Sequence, residues 1–181
     1  MRIHVCSLAR LPATVAATGA RHVVTLINVA TPVPRPPQIA EPDHLYLGMN
    51  DIIANPEPGQ VLPAEDHIDT LLRFAGDWHA NHASRSPLVI HCYAGVSRST
   101  AAAFITACAL DPARDERALA SILRERSPTA TPNRRLVELA DDRLRRGGRM
   151  VAAIEAIGRG EDCFEGVPFA LDLAEISIKK A

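Results

Sequence analysis

Cys92 and Arg98 stand at the two ends of a short stretch of the run HCYAGVSRST and enclose Tyr93, Ala94, Gly95, Val96 and Ser97. Those residue types at that spacing suit chemistry on phosphorus. A thiolate is a strong nucleophile, and thiolates are favoured beside a cation and a helix N-terminus. An arginine fork grips two oxygens of one phosphate. A loop that feeds a helix turns its free backbone N–H groups on an anion. Gly95 permits the tight or left-handed turn this requires. The expected event is attack by Cys92 on an oxyanion held above it in the loop, through a phosphocysteine intermediate. Ser99 would donate a hydrogen bond to the sulfur as it departs. His91 is expected to orient the loop through its ring nitrogens and not to act as a base, because a thiolate needs none.

The elements around the loop must hold it open at one end of a sheet. PLVIHC enters as a short apolar strand without polar alternation, which places it centrally. STAAAFITACAL leaves as a helix. Upstream, IHVC, HVVTLIN and HLYLGM read as strands, with ATVAATGA as a short helix between the first two. TPVPRPPQIAEPD is a proline-rich loop that continues neither sheet nor helix. AEDHIDTLLRFAGDWHANHA has helical periodicity, with Ile68, Leu71, Leu72, Ala75 and Trp78 on one face. DERALASILRER, NRRLVELADDRLRR and MVAAIEAIG add helices after the loop, punctuated by Pro112, Pro128 and Pro132. The expected fold is α/β, a compact central sheet with flanking helices. It forms one domain over residues 1–181, with the tail from about residue 159 unassigned. In such sheets ligands sit outside the carboxyl ends of the strands, where this loop lies.

PLVIHCYAGVSRSTAAAFI resembles the signature of the cysteine-dependent protein tyrosine phosphatases, most of all their compact dual-specificity branch and its bacterial relatives. The resemblance implies that Cys92 is the nucleophile, that Arg98 binds phosphate, that the backbone from Tyr93 to Arg98 (Tyr93, Ala94, Gly95, Val96, Ser97, Arg98) cradles it and that Ser99 is the hydroxyl residue after the arginine. It implies a dual-specificity-like fold and a phosphoprotein substrate, phosphotyrosine first, with phosphoserine and phosphothreonine open. The loop lacks the lysines that lipid-phosphatase relatives set against polyphosphorylated inositol rings. A rhodanese-like loop is usually shorter. A low-molecular-weight phosphatase or small arsenate reductase carries its loop near the N-terminus. The alternative of another class is a non-catalytic phosphate-binding module.

Expelling an alkoxide or phenoxide needs a proton, usually from a carboxylic acid. Asp43 precedes the HLYLGM strand, at the wrong end of the sheet. Asp69 and Asp77 lie inside a helix, and Asp66 sits in its first turn, where a carboxylate favours the dipole. Asp51 follows the strand at its carboxyl end, about forty residues before Cys92, as in the phosphatase general-acid loop. Asp51 is the acid expected here.

The chain has 181 residues and a formal net charge of −1, which suits one domain and argues against a nucleic-acid binder that works by charge. No run of about 18 apolar residues marks a membrane span, and the N-terminus lacks a signal peptide's apolar stretch. A soluble, cytoplasmic protein is expected, with no cofactor and no metal. His79 and His82 share a helix face but lack a third ligand. Asn133 opens a helix after Pro132 and reads as its N-cap. By resemblance, an asparagine near this place supports the phosphate loop. The arginines of RRLVELADDRLRRGGRM are interleaved with acids and read as a solvated face. Cys6, Cys92, Cys108 and Cys163 form no CxxC pair. Cys6 ends a strand of the same sheet; it is read as a packed thiol, with a protective disulfide to Cys92 as the other possibility.

Overall fold

The structure, a computed structural model, describes residues 1–173. Five strands form one sheet in the order β3-β2-β4-β1-β5. They are β1 (Arg2–Ser7), β2 (His22–Ile27), β3 (His44–Gly48), β4 (Leu88–Cys92) and β5 (Phe169–Asp172). The first four run parallel, and β5 closes the β1 edge antiparallel. β4 is central and wholly buried, as its unbroken apolar character requires. This is the α/β fold expected.

Helix α1 (Leu11–Thr18) covers one face of the sheet. Its Leu11 and Val15 pack with Cys6, Val23, Val89 and Ile39, the last from the proline-rich loop. The other face is covered by α2 (Glu65–Asn81), α3 (Arg98–Leu110), α4 (Glu116–Arg126), α5 (Arg134–Arg143) and α6 (Arg149–Ile157). Helix α2 is amphipathic: Ile68, Leu71, Ala75 and Trp78 are buried at helical spacing, and Trp78 Nε1 donates to Ser86 O at 3.0 Å. Helix α3 is different. Every residue from Arg98 to Cys108 is buried, because the other helices surround it. Ala101, Ala102, Ala103 and Ala107 let it approach its neighbours closely, while Phe104 and Ile105 fill the centre of the core. Truncating Phe104 to alanine would cost about 3–5 kcal/mol.

Alternation along a strand decides which side chains meet. Leu88, Ile90 and Cys92 share the large core with α3, whereas Val89 packs on the α1 side. Cys6 lies on that α1 side too, in register with His91 and not with Cys92. Its thiol is therefore across the sheet from Cys92. Burial pushes it up to about 12. The possible Cys6–Cys92 disulfide is corrected on this ground: Cys6 is a packed, protonated thiol.

The tail that the sequence left unassigned has two structural parts among the described residues. β5 extends the sheet, and the segment 158–167 runs as a strap beside the phosphate-loop candidate. Gly166 N donates to Ala94 O at 2.9 Å, and Glu161 N donates to Pro128 O at 3.0 Å. Gly160 has to be glycine here, since a Cβ would lie 2.5 Å from the Thr129 carbonyl carbon.

Candidate active site

The loop from Tyr93 to Ser97 leaves the carboxyl end of β4 and turns into α3. Its carbonyls are tied outward by donors from three parts of the chain. Tyr93 O accepts from Leu8 N, Ala94 O from Gly166 N, Val96 O from Thr131 N, and Ser97 O from Asn133 N. Thr100 Oγ1 adds a bond of 2.6 Å to Val96 O. The carbonyls are thus anchored outside the loop, while Gly95 N donates inward to Cys92 Sγ. Among the described residues, none of Tyr93, Ala94, Val96 and Ser97 donates its N–H to another backbone carbonyl. Gly95 makes this curl possible. Its φ is +75°, and a Cβ would lie 2.8 Å from the Cys6 carbonyl carbon and from Ser7 N.

Cys92 lies at the base of the loop, 2% exposed. Its Sγ accepts from Gly95 N at 3.3 Å and lies 3.2 Å from Ser99 Oγ. Both are contacts that a thiolate accepts. Arg98 is buried although charged. Its Nη1 donates to Asn28 Oδ1 at 2.9 Å and to Met49 O at 2.7 Å, while its Nε makes no hydrogen bond. The nearest charge to that Nε is Asp51 Oδ2, at 3.8 Å. The guanidinium is thus fixed on one side and holds an unused buried donor on the other. A bound oxyanion would satisfy that donor.

Asp51 lies just beyond β3, beside the loop. Its Oδ1 accepts from Ser97 Oγ at 2.7 Å and from Asn133 Nδ2 at 2.8 Å. Asn133 has two jobs: its Oδ1 caps α5 by accepting from Leu136 N at 3.1 Å, and its Nδ2 holds Asp51. The N-cap reading is seen directly, and the same side chain also reaches the aspartate expected as the acid. The support reaches the aspartate through the side chain and the loop through the backbone. The other aspartates lie elsewhere. Asp43 contacts His22, in the turn before β3; Asp69 pairs with Arg143; Asp66 is in the first turn of α2.

His91 points to the α1 side, away from Cys92's thiol. Its Nε2 lies 2.7 Å from Thr25 Oγ1, which also lies 2.8 Å from His44 Nε2. Its Nδ1 is 3.4 Å from Cys92 O. If Nδ1–H donates to that carbonyl, then Nε2 accepts from Thr25, and Thr25 accepts from His44. Burial pushes His91 down to about 4, so its imidazole is neutral beneath the loop. His79 and His82 are apart from all this: His79 Nδ1 touches Met1 Sδ, and the His82 ring lies against His22.

Asn28, Met49, Thr25 and the strap escaped the sequence reading. Asn28 and Met49 had a signal: both end strands on the carboxyl side, the end that holds ligands in such sheets. Thr25 and the strap had none, because a single hydroxyl and a few backbone bonds leave no residue pattern.

No family model matches this chain, and no curated protein matches its sequence. Solved structures are similar to it. The Cydia pomonella PTP-2 phosphatase shares 22% identity over 77% of this chain and 84% of its own, with a TM-score of 0.59. DUSP15 shares 16% over 88% of this chain and 94% of its own, at 0.61. Human DUSP28 shares 16% over 80% and 88%, at 0.60. The central sheet with its flanking helices is therefore the fold of dual-specificity and tyrosine phosphatases.

Proposed function

We propose that this chain is a cysteine-dependent phosphatase that hydrolyses phosphotyrosine on proteins, with phosphoserine and phosphothreonine as further substrates. One observation carries the reading. Gly95 N–H points at Cys92 Sγ, the N–H groups of Tyr93, Ala94, Val96 and Ser97 bond no backbone carbonyl among the described residues, and the buried Arg98 keeps its Nε free beside the same loop. In the first step the Cys92 sulfur attacks phosphorus and the ester P–O bond breaks. The leaving oxygen takes its proton from the Asp51 carboxyl. In the second step the Asp51 carboxylate removes a proton from water, whose oxygen attacks phosphorus. The S–P bond breaks, and Ser99 donates to the departing sulfur. No step calls for a metal. Arg98 and the loop N–H groups hold the equatorial oxygens throughout, which is positioning together with charge stabilisation.

The test is turnover of an aryl phosphate by purified protein in EDTA. Wild type should turn over, and Cys92→Ser should not, while still binding phosphate. Equal turnover by both proteins would falsify the covalent mechanism. Phosphate binding without turnover in the wild type would favour the non-catalytic module.

A further inference from the structure

Six large apolar side chains are exposed among the described residues: Val29, Tyr46, Ile53, Tyr93, Phe164 and Val167. All six belong to segments that meet at the loop. Tyr93 is in the loop itself. Phe164 and Val167 flank Gly166, whose N–H bonds Ala94. Ile53 follows Asp51 by two residues. Val29 follows Asn28, the residue that holds Arg98. Tyr46 donates its hydroxyl to Asn28 O at 3.2 Å. Phe164 is fully exposed and Val167 nearly so, a costly choice for a strap that could have been polar. Exposed apolar surface gathered at one place marks an interaction site.

Charge decides what meets it. The strap carries three carboxylates, Glu161, Asp162 and Glu165, against one arginine, Arg159. The nearby cations are already engaged. Arg159 pairs with Asp162, Arg10 with Glu165, and Arg134 with Glu138 and Glu155. Arg35 lies further along the proline-rich loop, where its charge falls on His44. An anionic membrane or an acidic peptide needs a basic surface, and here the strap's carboxylates outnumber its arginine, while Arg124 at the strap's start is tied to the carbonyls of Pro128 and Gly158. We infer that the rim selects peptides in which large apolar residues flank the phosphorylated residue, the apolar flanks covering Phe164 and Val167. The inference rests on the phosphatase reading and deepens it.

The test uses phosphotyrosine peptides of one length with leucine and phenylalanine, glutamate, or lysine flanks. Binding is measured to the full chain carrying Cys92→Ser, and kcat and KM are measured in the wild type. Apolar flanks should bind about tenfold more tightly than glutamate flanks, as burial of one large side chain provides. Phe164→Ser with Val167→Ser should erase that preference while nitrophenyl phosphate turnover stays unchanged. Equal or better binding of the glutamate or lysine peptides overturns the inference, as does a preference that survives the double substitution. Sedimentation with phosphatidylserine vesicles that depends on Phe164 would also overturn it, in favour of a membrane surface. The two readings fail separately. Selective binding without turnover sinks the catalytic reading alone, and nitrophenyl phosphate turnover without peptide selectivity sinks this one alone.

Discussion

The two ends of α3 each hold a buried arginine, and the two are handled in opposite ways. At the C-terminal end, Arg146 donates to Cys108 O at 2.5 Å, to Pro112 O at 3.0 Å and to Glu116 Oε1 at 3.0 Å. A cation there complements the negative end of the helix dipole. Glu116, itself buried, balances the charge and also receives Arg149. At the N-terminal end, Arg98 adds positive charge to the positive end of the same helix. Asp51 stands 3.8 Å from its Nε and makes no hydrogen bond with it. The first arrangement is complete in itself. The second leaves Arg98 Nε without a hydrogen bond, the donor that the proposed phosphate would take, whereas the first is a structural clasp.

The sharpest way to break this contrast is to remove each arginine in turn. Arg98→Ala should lower kcat/KM roughly 10³-fold and leave the unfolding midpoint close to that of wild type. Arg146→Ala should do the reverse. It removes the buried partner of Glu116 and leaves only the exposed Arg149, so the cost falls at the lower end of about 3–5 kcal/mol, while turnover per folded molecule persists. Denaturation followed by circular dichroism, paired with steady-state kinetics, separates the two. Matching losses in both variants would erase the distinction.

Next in size is Asp51→Asn. General acid catalysis contributes about 10²–10⁴-fold, and its weight grows as the leaving group worsens. The variant should slow phosphotyrosine peptides more than nitrophenyl phosphate, whose leaving group needs little help. A uniform small loss on both substrates would move the acid elsewhere, with Asp66 next to be examined.

His91 gives a pH prediction. It is neutral when folded, held down to about 4 by burial, against an ordinary value of 6.5. Between those values the unfolded chain binds the extra proton, so stability is full above pH 6.5 and falls as pH drops toward 4. The loss attributable to His91 is about 3 kcal/mol by pH 4. His4, His22 and His44 shift the same way, so the measurement is the difference in slope between wild type and His91→Asn. A variant with an unchanged slope would place the neutral imidazole outside the linkage.

The smallest effect is expected at Asn133→Asp. Aspartate keeps the N-cap but replaces the amide that donates to Asp51 with a like charge. Losing a hydrogen bond to a carboxylate corresponds to about tenfold in rate. Phosphotyrosine turnover should fall by that factor, with the melting temperature held. A lower melting temperature at full activity would reduce Asn133 to a cap alone.

What could be read from the residues alone follows from where each feature stores its information. The parallel strands were legible because β-branched runs such as HVVTLI admit few other readings. Cys92, Gly95, Arg98 and Ser99 sit in one contiguous stretch, so spacing alone brought them together. Asp51 was legible from topology, as the one candidate at the carboxyl end of a strand. β5 was not, since four residues at a sheet edge show no periodicity. The strap was hidden for a related reason: Gly166 and Glu161 act through backbone N–H groups, which every residue but proline possesses. Arg146 looked like one more member of an interleaved charged face, because its partner Glu116 lies 30 residues upstream. The Cys6 disulfide failed on the pleat: strand ends that are neighbours in the sheet can still present their side chains to opposite sides.

The cradle draws on residues from nearly the whole described chain. Ser7 Oγ donates to Glu165 Oε1 across 158 positions, and Gly166 reaches back 72 positions to Ala94. Contacts this distant demand that long loops close first. The four parallel strands and α3 can assemble around Phe104 without them, whereas β5 spans a similar distance. We therefore expect the anion site to mature late in refolding, after the core has consolidated. Regained phosphate affinity should lag behind recovered Trp78 fluorescence.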